Sequence, residues 1–427
     1  MSAVFLIITL FVFLLLGVPI AISLGLASIV TMLIYVDHTL LSLSQKFIHT
    51  MQVYPLLAIP FFILAGNFMT TGGVVKRMIA FANALVGHFR GGLAMAALLA
   101  CAFFAAVSGS SPATVVAVGS IMIAGMVKSG YSKKFAAGII CNAGTLGILI
   151  PPSIVLVVYG AITESSIGKL FLAGFLPGLV LTIAMMTTIA VIAKKRNLPR
   201  QPKVNLSTVL NTAREAIWGL LLVVIILGGI YSGVFTPTEA AAVSAVYAFF
   251  IALFVYRDIS IGHVPKVLIE AAKVTAMLMF IIANAYLFAF VLTTEQIPQM
   301  ISEWIISLGL PPWGFLLVLN ILLLLAGNFM EPTSVILIFT PIVFPIAMQM
   351  GIDPIHLGII MVINMEIGLV SPPVGLNLFV TASVAEMKID EVLRAAVPWL
   401  LVLLSVLMLI TYVPWISLVL LDWVGFD

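Results

Sequence analysis

Apolar stretches long enough to cross a bilayer recur along the whole chain. They lie near 3–19, 21–36, 55–70, 91–107, 113–127, 135–163, 170–193, 217–234, 238–256, 275–293, 313–327, 333–349, 354–384 and 399–421. A spanning helix needs about 20 apolar residues, so the pattern predicts an all-α integral membrane protein. The first stretch begins at Met1 with no basic leader and no small-residue cleavage site, which predicts a mature helix and not a removable signal. Leu40–Tyr54, Leu206–Trp218 and Ile261–Lys273 are short and amphipathic, with bulky apolar residues at helical spacing. They predict helices lying in the interface.

Composition sharpens this. Of 427 residues, 63% are hydrophobic and 8% charged, where a soluble domain carries roughly 25% charged residues. Disorder and nucleic-acid binding are excluded, and a soluble enzyme is disfavoured. Cys101 and Cys141 sit in apolar sequence without metal-ligand spacing and read as packed thiols. The five histidines (38, 49, 88, 263 and 356) fall at segment edges and read as interfacial. No G-x-x-x-x-G-K-[ST] phosphate loop and no H-E-x-x-H motif occurs.

The net charge of +3 says little, but the placement of charge says more. The densest basic run holds Lys194, Lys195, Arg196, Arg200 and Lys203, and the positive-inside rule puts it in the cytoplasm. If 91–127 and 313–349 are each re-entrant hairpins, counting crossings places every lysine and arginine inside except Lys46 and Lys169. Asp37, Glu164, Glu295, Glu303, Asp353, Asp422 and Asp427 then lie outside, and both termini are periplasmic.

A shift of about 220 residues aligns the two halves. Ala105–Thr114 falls on Leu325–Ser334, matching Pro112 to Pro332; Gly147–Ser153 falls on Gly368–Val374; Pro177 falls on Pro398. The string LAGNFM also occurs at 64–69 and 325–330, but in another register, and reads as coincidence. Each unit, roughly 55–193 and 275–421, holds three crossings and one Pro-interrupted pair. With two linking spans at 217–256, the second copy must be inverted, a hallmark of secondary transporters.

Four clusters interrupt the apolar pattern. Ser108, Gly109, Ser110, Ser111, Pro112 and Thr114 pair with Gly327, Asn328, Glu331, Pro332, Thr333 and Ser334. Asn142, Gly144, Thr145, Gly147, Pro151, Pro152 and Ser153 pair with Asn364, Glu366, Gly368, Ser371, Pro372, Pro373 and Asn377. Proline removes a donor and breaks the helical ladder, and glycine lets the chain turn. Broken helices expose carbonyls at one half-helix end, which suit a hard cation such as Na⁺, and N–H groups at the other, which suit a carboxylate. Glu331 and Glu366 are the acids set deepest in apolar sequence. They read as structural or sodium-site carboxylates, with a proton relay as the other reading. Glu239, after Pro237, reads as a first-turn helix acid.

Over essentially its whole length the chain resembles the large membrane subunit of tripartite ATP-independent periplasmic (TRAP) transporters. The resemblance rests on Pro55–Met69, the SGSSPAT tip, Asn142–Ser153 and Met365–Asn377. It implies an elevator-type fold in a bacterial inner membrane and sodium-coupled import of an organic acid. Overall similarity leans towards sialic acid, with a C4-dicarboxylate as the other substrate. It also implies a small four-helix membrane subunit and a periplasmic substrate-binding protein that carries most of the selectivity, with no ATPase.

By that analogy the N-terminal scaffold is 1–54, the repeats are 55–193 and 275–427, and 194–274 links them. One sodium site would draw on Ser108, Ser110, Asn142, Gly144, Thr145 and Gly147, and a second on Gly327, Asn328, Met330, Gly368, Val370 and Ser371. Substrate would meet Ser110, Ser111, Pro112, Thr114, Glu331, Pro332, Thr333, Ser334 and Asn377. Three other readings stand beside this one. They are a self-sufficient sodium/dicarboxylate carrier of similar fold, an ion channel, and an intramembrane hydrolase using Ser110 or Ser111, which would need a base in the span.

Overall fold

A computed structural model describes residues 2–35, 40–71 and 73–425, and within them the chain forms α-helices and no strand. Asp37, His38, Asp427 and the Lys46 side chain lie outside the described part. Among the described residues, nine segments are long and apolar enough to cross a membrane. In chain order the helices are α1 (Ser2–Leu15), α2 (Ile20–Tyr35), α3 (Leu40–Met51), α4 (Ala58–Thr71), α5 (Val74–Val86), α6 (Gly92–Ser108) and α7 (Ser111–Lys128). Then follow α8 (Lys133–Ala143), α9 (Leu146–Leu149), α10 (Ile154–Thr163), α11 (Ile167–Lys195), α12 (Leu206–Tyr231), α13 (Pro237–Phe250) and α14 (Val264–Thr294). The chain continues with α15 (Ile297–Ser307), α16 (Pro312–Gly327), α17 (Pro332–Gln349), α18 (Pro354–Gly368), α19 (Leu376–Ala385), α20 (Ile389–Tyr412) and α21 (Trp415–Val424).

Local chemistry sets these boundaries. Ser132, Ser153, Ser166 and Asp353 each accept a backbone N–H at the start of α8, α10, α11 and α18, caps worth about 1 kcal/mol apiece. Glu239 is the first-turn acid that its sequence position suggests: it closes a capping box with Thr236, whose amide donates to its carboxylate at 2.8 Å. Between α6 and α7 the chain reverses at Gly109 (φ 60°), a left-handed conformation that glycine adopts without steric cost.

All four sequence interruptions fall at helix breaks. They separate α6 from α7, α16 from α17, α18 from α19, and divide 133–163 into α8, α9 and α10. The Pro151–Pro152 and Pro372–Pro373 bonds are both cis.

Two of the amphipathic segments differ from expectation. Leu206–Trp218 and Ile261–Lys273 are not separate interfacial helices but run without a break into the spans that follow, as α12 and α14. No proline interrupts 206–231, and Pro265 sits in the first turn of α14, where its missing N–H costs nothing. A polar stretch without a breaker simply lengthens the helix. The stretch 399–421 divides at Pro414 into α20 and α21. Two short helices, α5 and α15, occupy stretches that held no predicted span.

The packing is exchanged between the halves. The α6–α7 pair packs on α8 and, through α7, on α19; the α16–α17 pair packs on α18 and, through α17, on α10. Likewise α20 lies on α8 while α11 lies on α18. This brings the turn of each helical pair to the interruption in its own half. Around this block, α4 packs tightly on α13, α14 on α2, and α12 on α5. Arg77–Asp258 (2.6 Å) and Lys134–Glu391 (3.2 Å) are the ion pairs among the described residues, and each joins residues that the charge map puts on one side.

Candidate functional site

The two helical turns meet across one cavity of about 290 Å³. Ser108, Gly109, Ser110, Ser111, Pro112 and Ala113 form one wall, and Glu331, Pro332 and Thr333 the facing one. Ile148, Leu369 and Leu376 come from the interrupted helices, and Gly66, Asn67, Thr70, Met277 and Leu278 from α4 and α14. Seven of the residues expected at the site therefore line one space: Ser108, Ser110, Ser111, Pro112, Glu331, Pro332 and Thr333.

The remainder lie behind it. Thr114 is buried; its hydroxyl donates to the Ser110 carbonyl (2.8 Å) and shares a hydrogen bond with Ser108 (3.1 Å). Asn377 is not on the cavity. Its amide donates to Ser111 Oγ at 2.7 Å and to the Cys141 carbonyl at 3.3 Å, tying the second half's interruption to the first half's turn. Glu331 caps α17: its carboxylate accepts the Ser334 backbone N–H at 3.2 Å and the Thr333 hydroxyl at 2.9 Å, while the buried Ser334 side chain makes no contact with the cavity. Met330 faces a further, apolar cavity beside α1, which also reaches Glu331. Gly327 and Gly368 meet backbone to backbone, Asn328 and Val370 are the neighbouring residues at the ends of α16 and α18, and Ser371 Oγ donates to the Ile367 carbonyl.

Glycine makes both contacts possible. At Gly147 a Cβ would stand 2.6 Å from the Ser110 carbonyl oxygen and 2.8 Å from the Ser111 nitrogen. At Gly368 it would stand 2.7–2.8 Å from the backbone of Gly327. Each turn thus rests backbone to backbone on its interrupted helix. Gly144 meets Val115 in the same seam, and Thr145 Oγ1 donates to the Asn142 carbonyl (2.7 Å).

Asn142 and Asn364 behave alike. Each donates its amide N–H to the carbonyl four residues earlier, Gly138 at 2.9 Å and Ile360 at 2.8 Å, and each leaves a buried Oδ1 without a partner. The Glu366 carboxyl is fully buried beside the Leu149 backbone, with no hydrogen bond of ordinary geometry to either oxygen. Buried oxygens without a donor are costly unless a water or cation supplies the missing partner.

The cavity is poor in charge. No lysine or arginine among the described residues lines it, and Glu331 is its one ionisable group. Ser110, at the start of α7, makes no side-chain cap, and with Pro112 lacking an N–H and Thr114 bonded to the Ser110 carbonyl, the Ser111 and Ala113 N–H groups are the uncapped ones at that end. Sequence reasoning misses Asn67 and Thr70. The LAGNFM string at 64–69 is the available signal, because its Gly66 packs against Ser108. His356, expected at the interface, is instead buried and lies 3.3 Å from the Thr411 carbonyl, in a polar chain with Asn320 and Asn364.

The chain is an apolar multi-pass helical body with broken helices meeting at an inner cavity, and solved structures share this fold. The Alcanivorax borkumensis YdaH transporter superposes with a TM-score of 0.61 at 15% identity, over 90% of this chain and 88% of that one. The chain belongs to the family described as "Tripartite ATP-independent periplasmic transporter, DctM component", which it matches over residues 7–416. The family is a transporter permease and not an enzyme. The chain is 64% identical over 403 residues to the C4-dicarboxylate TRAP transporter large permease protein DctM of Pseudomonas aeruginosa, covering 94% of each. It is 50% identical to the protein of the same name from Rhodobacter capsulatus, over the whole of both. Identity to the sialic acid TRAP transporter permease protein SiaT of Haemophilus influenzae is 35%, covering 93% of this chain and 65% of that one. The lean towards sialic acid is not supported by these relatives.

Proposed function

We propose that this chain is the large permease of a sodium-coupled importer of C4-dicarboxylates in a bacterial inner membrane. It would work with a small membrane subunit and a periplasmic binding protein. The substrate class is supported by the similarity to C4-dicarboxylate permeases. The partners are supported by the tripartite nature of the family. The basic face, inside by the charge map, supports periplasmic termini.

Sodium coupling is carried by one observation: among the described residues the cavity between the turns is lined by a carboxylate and by no lysine or arginine. A dicarboxylate in a desolvated site needs countercharge. The N-terminus of α7 supplies about half a charge, which leaves most of it to bound cations. The unpartnered Asn142 and Asn364 oxygens and the exposed half-helix carbonyls are donors of the type Na⁺ takes.

The exchanged packing of the two halves supports an inverted repeat and an elevator cycle. In that cycle α6–α11 and α16–α21 move as a block against α1–α4 and α12–α14. Joining α11 and α20 to the block follows from their packing on α18 and α8.

Proteoliposomes holding the chain with its small subunit are expected to take up labelled succinate only with an inward sodium gradient and the cognate binding protein. Labelled sialic acid is expected to stay outside. Uptake without the binding protein establishes a self-sufficient carrier, and uptake without sodium removes the coupling proposal. In the same assay Ser111→Ala and Thr333→Ala are expected to weaken sodium dependence more than they lower the amount of folded protein. Equal losses of both would return these hydroxyls to a structural role.

A further inference from the structure

On the face that carries most of the chain's basic residues, α8, α11 and α20 enclose a second cleft of about 310 Å³. Its exposed charged residues are Lys134, Arg196 and Arg394; its apolar lining is the buried Phe135 and Trp399 with the exposed Pro398. The floor is rigid. The Phe135 and Trp399 rings meet edge to face at 5.8 Å, and Trp399 is buried. Glu391 pairs with Lys134 at 3.2 Å, which leaves the two guanidinium groups. Neither the Arg196 nor the Arg394 guanidinium has an ion-pair or hydrogen-bond partner among the described residues. The backbone that follows Arg196 is fixed, because Tyr131 Oη and the Gly91 amide both donate to the Pro199 carbonyl.

We infer that this cleft binds the headgroup of an anionic phospholipid. Two unpaired guanidinium groups on one rim match the fork geometry of phosphate recognition. The aromatic floor at the end of three spanning helices suits the glycerol and first methylenes of a lipid, which a free phosphate lacks. Basic clefts between helices on the cytoplasmic side of membrane proteins take such headgroups. The site is separate from the cavity between the turns and shares no residue with it.

The test is native mass spectrometry of the full-length chain with its small subunit, released from phosphatidylglycerol, phosphatidylcholine or lipid-free micelles with inorganic phosphate. Retained phosphatidylglycerol is expected on the unmodified chain, with neither phosphatidylcholine nor phosphate retained. The double variant Arg196→Gln/Arg394→Gln is expected to bind about thirtyfold more weakly, from roughly fivefold per basic residue at an anionic lipid surface. Lys194→Gln/Lys195→Gln makes the same charge change outside the cleft and is expected to retain the lipid. Equal retention of phosphatidylcholine, equal loss in the lysine pair, or retention by the arginine pair overturns the inference. Retention of inorganic phosphate alone makes the cleft a free-anion site and overturns it as well. If the arginine pair does not fold, the headgroup comparison on the unmodified chain decides.

Discussion

Gly368→Ala and Gly147→Ala are each expected to abolish transport and to lower stability by about 1–3 kcal/mol, the usual penalty for overpacking a filled interior. The penalty is steric. The added methyl at 368 would lie 2.7–2.8 Å from three backbone atoms of Gly327, and the one at 147 would lie 2.6–2.8 Å from backbone atoms of Ser110 and Ser111. A side chain could turn aside, but these are main-chain atoms at the turn of a helical pair. The turn must therefore retreat and the cavity wall with it.

The reverse contact gives an internal scale. At Gly327 a methyl would meet Gly368 Cα at 3.3 Å, a clash small enough for a partial shift, so Gly327→Ala is expected to lose less. Gly125 lies in the interior of α7, and a methyl added there would have nothing within 4 Å. Gly125→Ala is expected to be neutral or slightly stabilising, since glycine costs about 1 kcal/mol against alanine inside a helix. Thermal unfolding of the four purified variants, set beside uptake, checks the order. Normal uptake and unchanged unfolding in Gly368→Ala would mean that the turn does not need to rest on the interrupted helix.

These glycines also show why parts of this molecule are legible in sequence and others are not. The four interruptions stand out because Gly, Pro, Ser and Thr are concentrated where apolar residues would otherwise continue, and each concentration falls at a helix break. The helices α5 and α15 leave no such mark. They are too short and too amphipathic to register as spans, yet α5 packs on α6 and α12, and α15 on α17.

The lengths of α12 and α14 are hidden for the opposite reason. A polar segment beside an apolar one looks like a boundary, whereas a helix ends only where its hydrogen-bond ladder fails. The repeated LAGNFM string breaks the register of the repeat and reads as coincidence, and its two copies sit in different places. Gly66 sets α4 against Ser108 at the first turn, whereas Gly327 is itself at the second turn and rests on Gly368. Asn67 lies on the cavity wall and the corresponding Asn328 does not. Asn377 illustrates a further limit. It belongs with the second half in sequence, but its amide is used on Ser111 and Cys141 of the first, a contact that only the exchanged packing creates.

Asn142→Leu is expected to remove sodium-induced stabilisation of the purified protein while leaving its sodium-free stability nearly unchanged. The asparagine amide N–H bonds two carbonyls, Gly138 at 2.9 Å and Ala396 at 3.4 Å, so losing it breaks no link to another side chain. Its Oδ1 is different: buried and unpartnered, it gains from folding only if something positive reaches it. A buried acceptor that lacks a donor costs about 1–3 kcal/mol. If sodium is the missing partner, the variant should bind it roughly 5- to 150-fold more weakly by the same figure. Asn364→Leu is the companion test in the other half. Its Oδ1 is unpartnered too, but its N–H also holds Asn320 at 2.7 Å, and Asn320 in turn holds Thr411. This variant is therefore expected to lose both sodium response and sodium-free stability. The measurement is the thermal midpoint against sodium concentration, with potassium or choline holding ionic strength constant. A full sodium shift in Asn142→Leu would mean that its orphaned oxygen is met by water, and the first ion site would have to rest on backbone carbonyls alone. Loss of the shift in both variants, with only Asn364→Leu weakened at zero sodium, would place one ion at each interrupted helix and tie the coupling to the two seams where the turns rest.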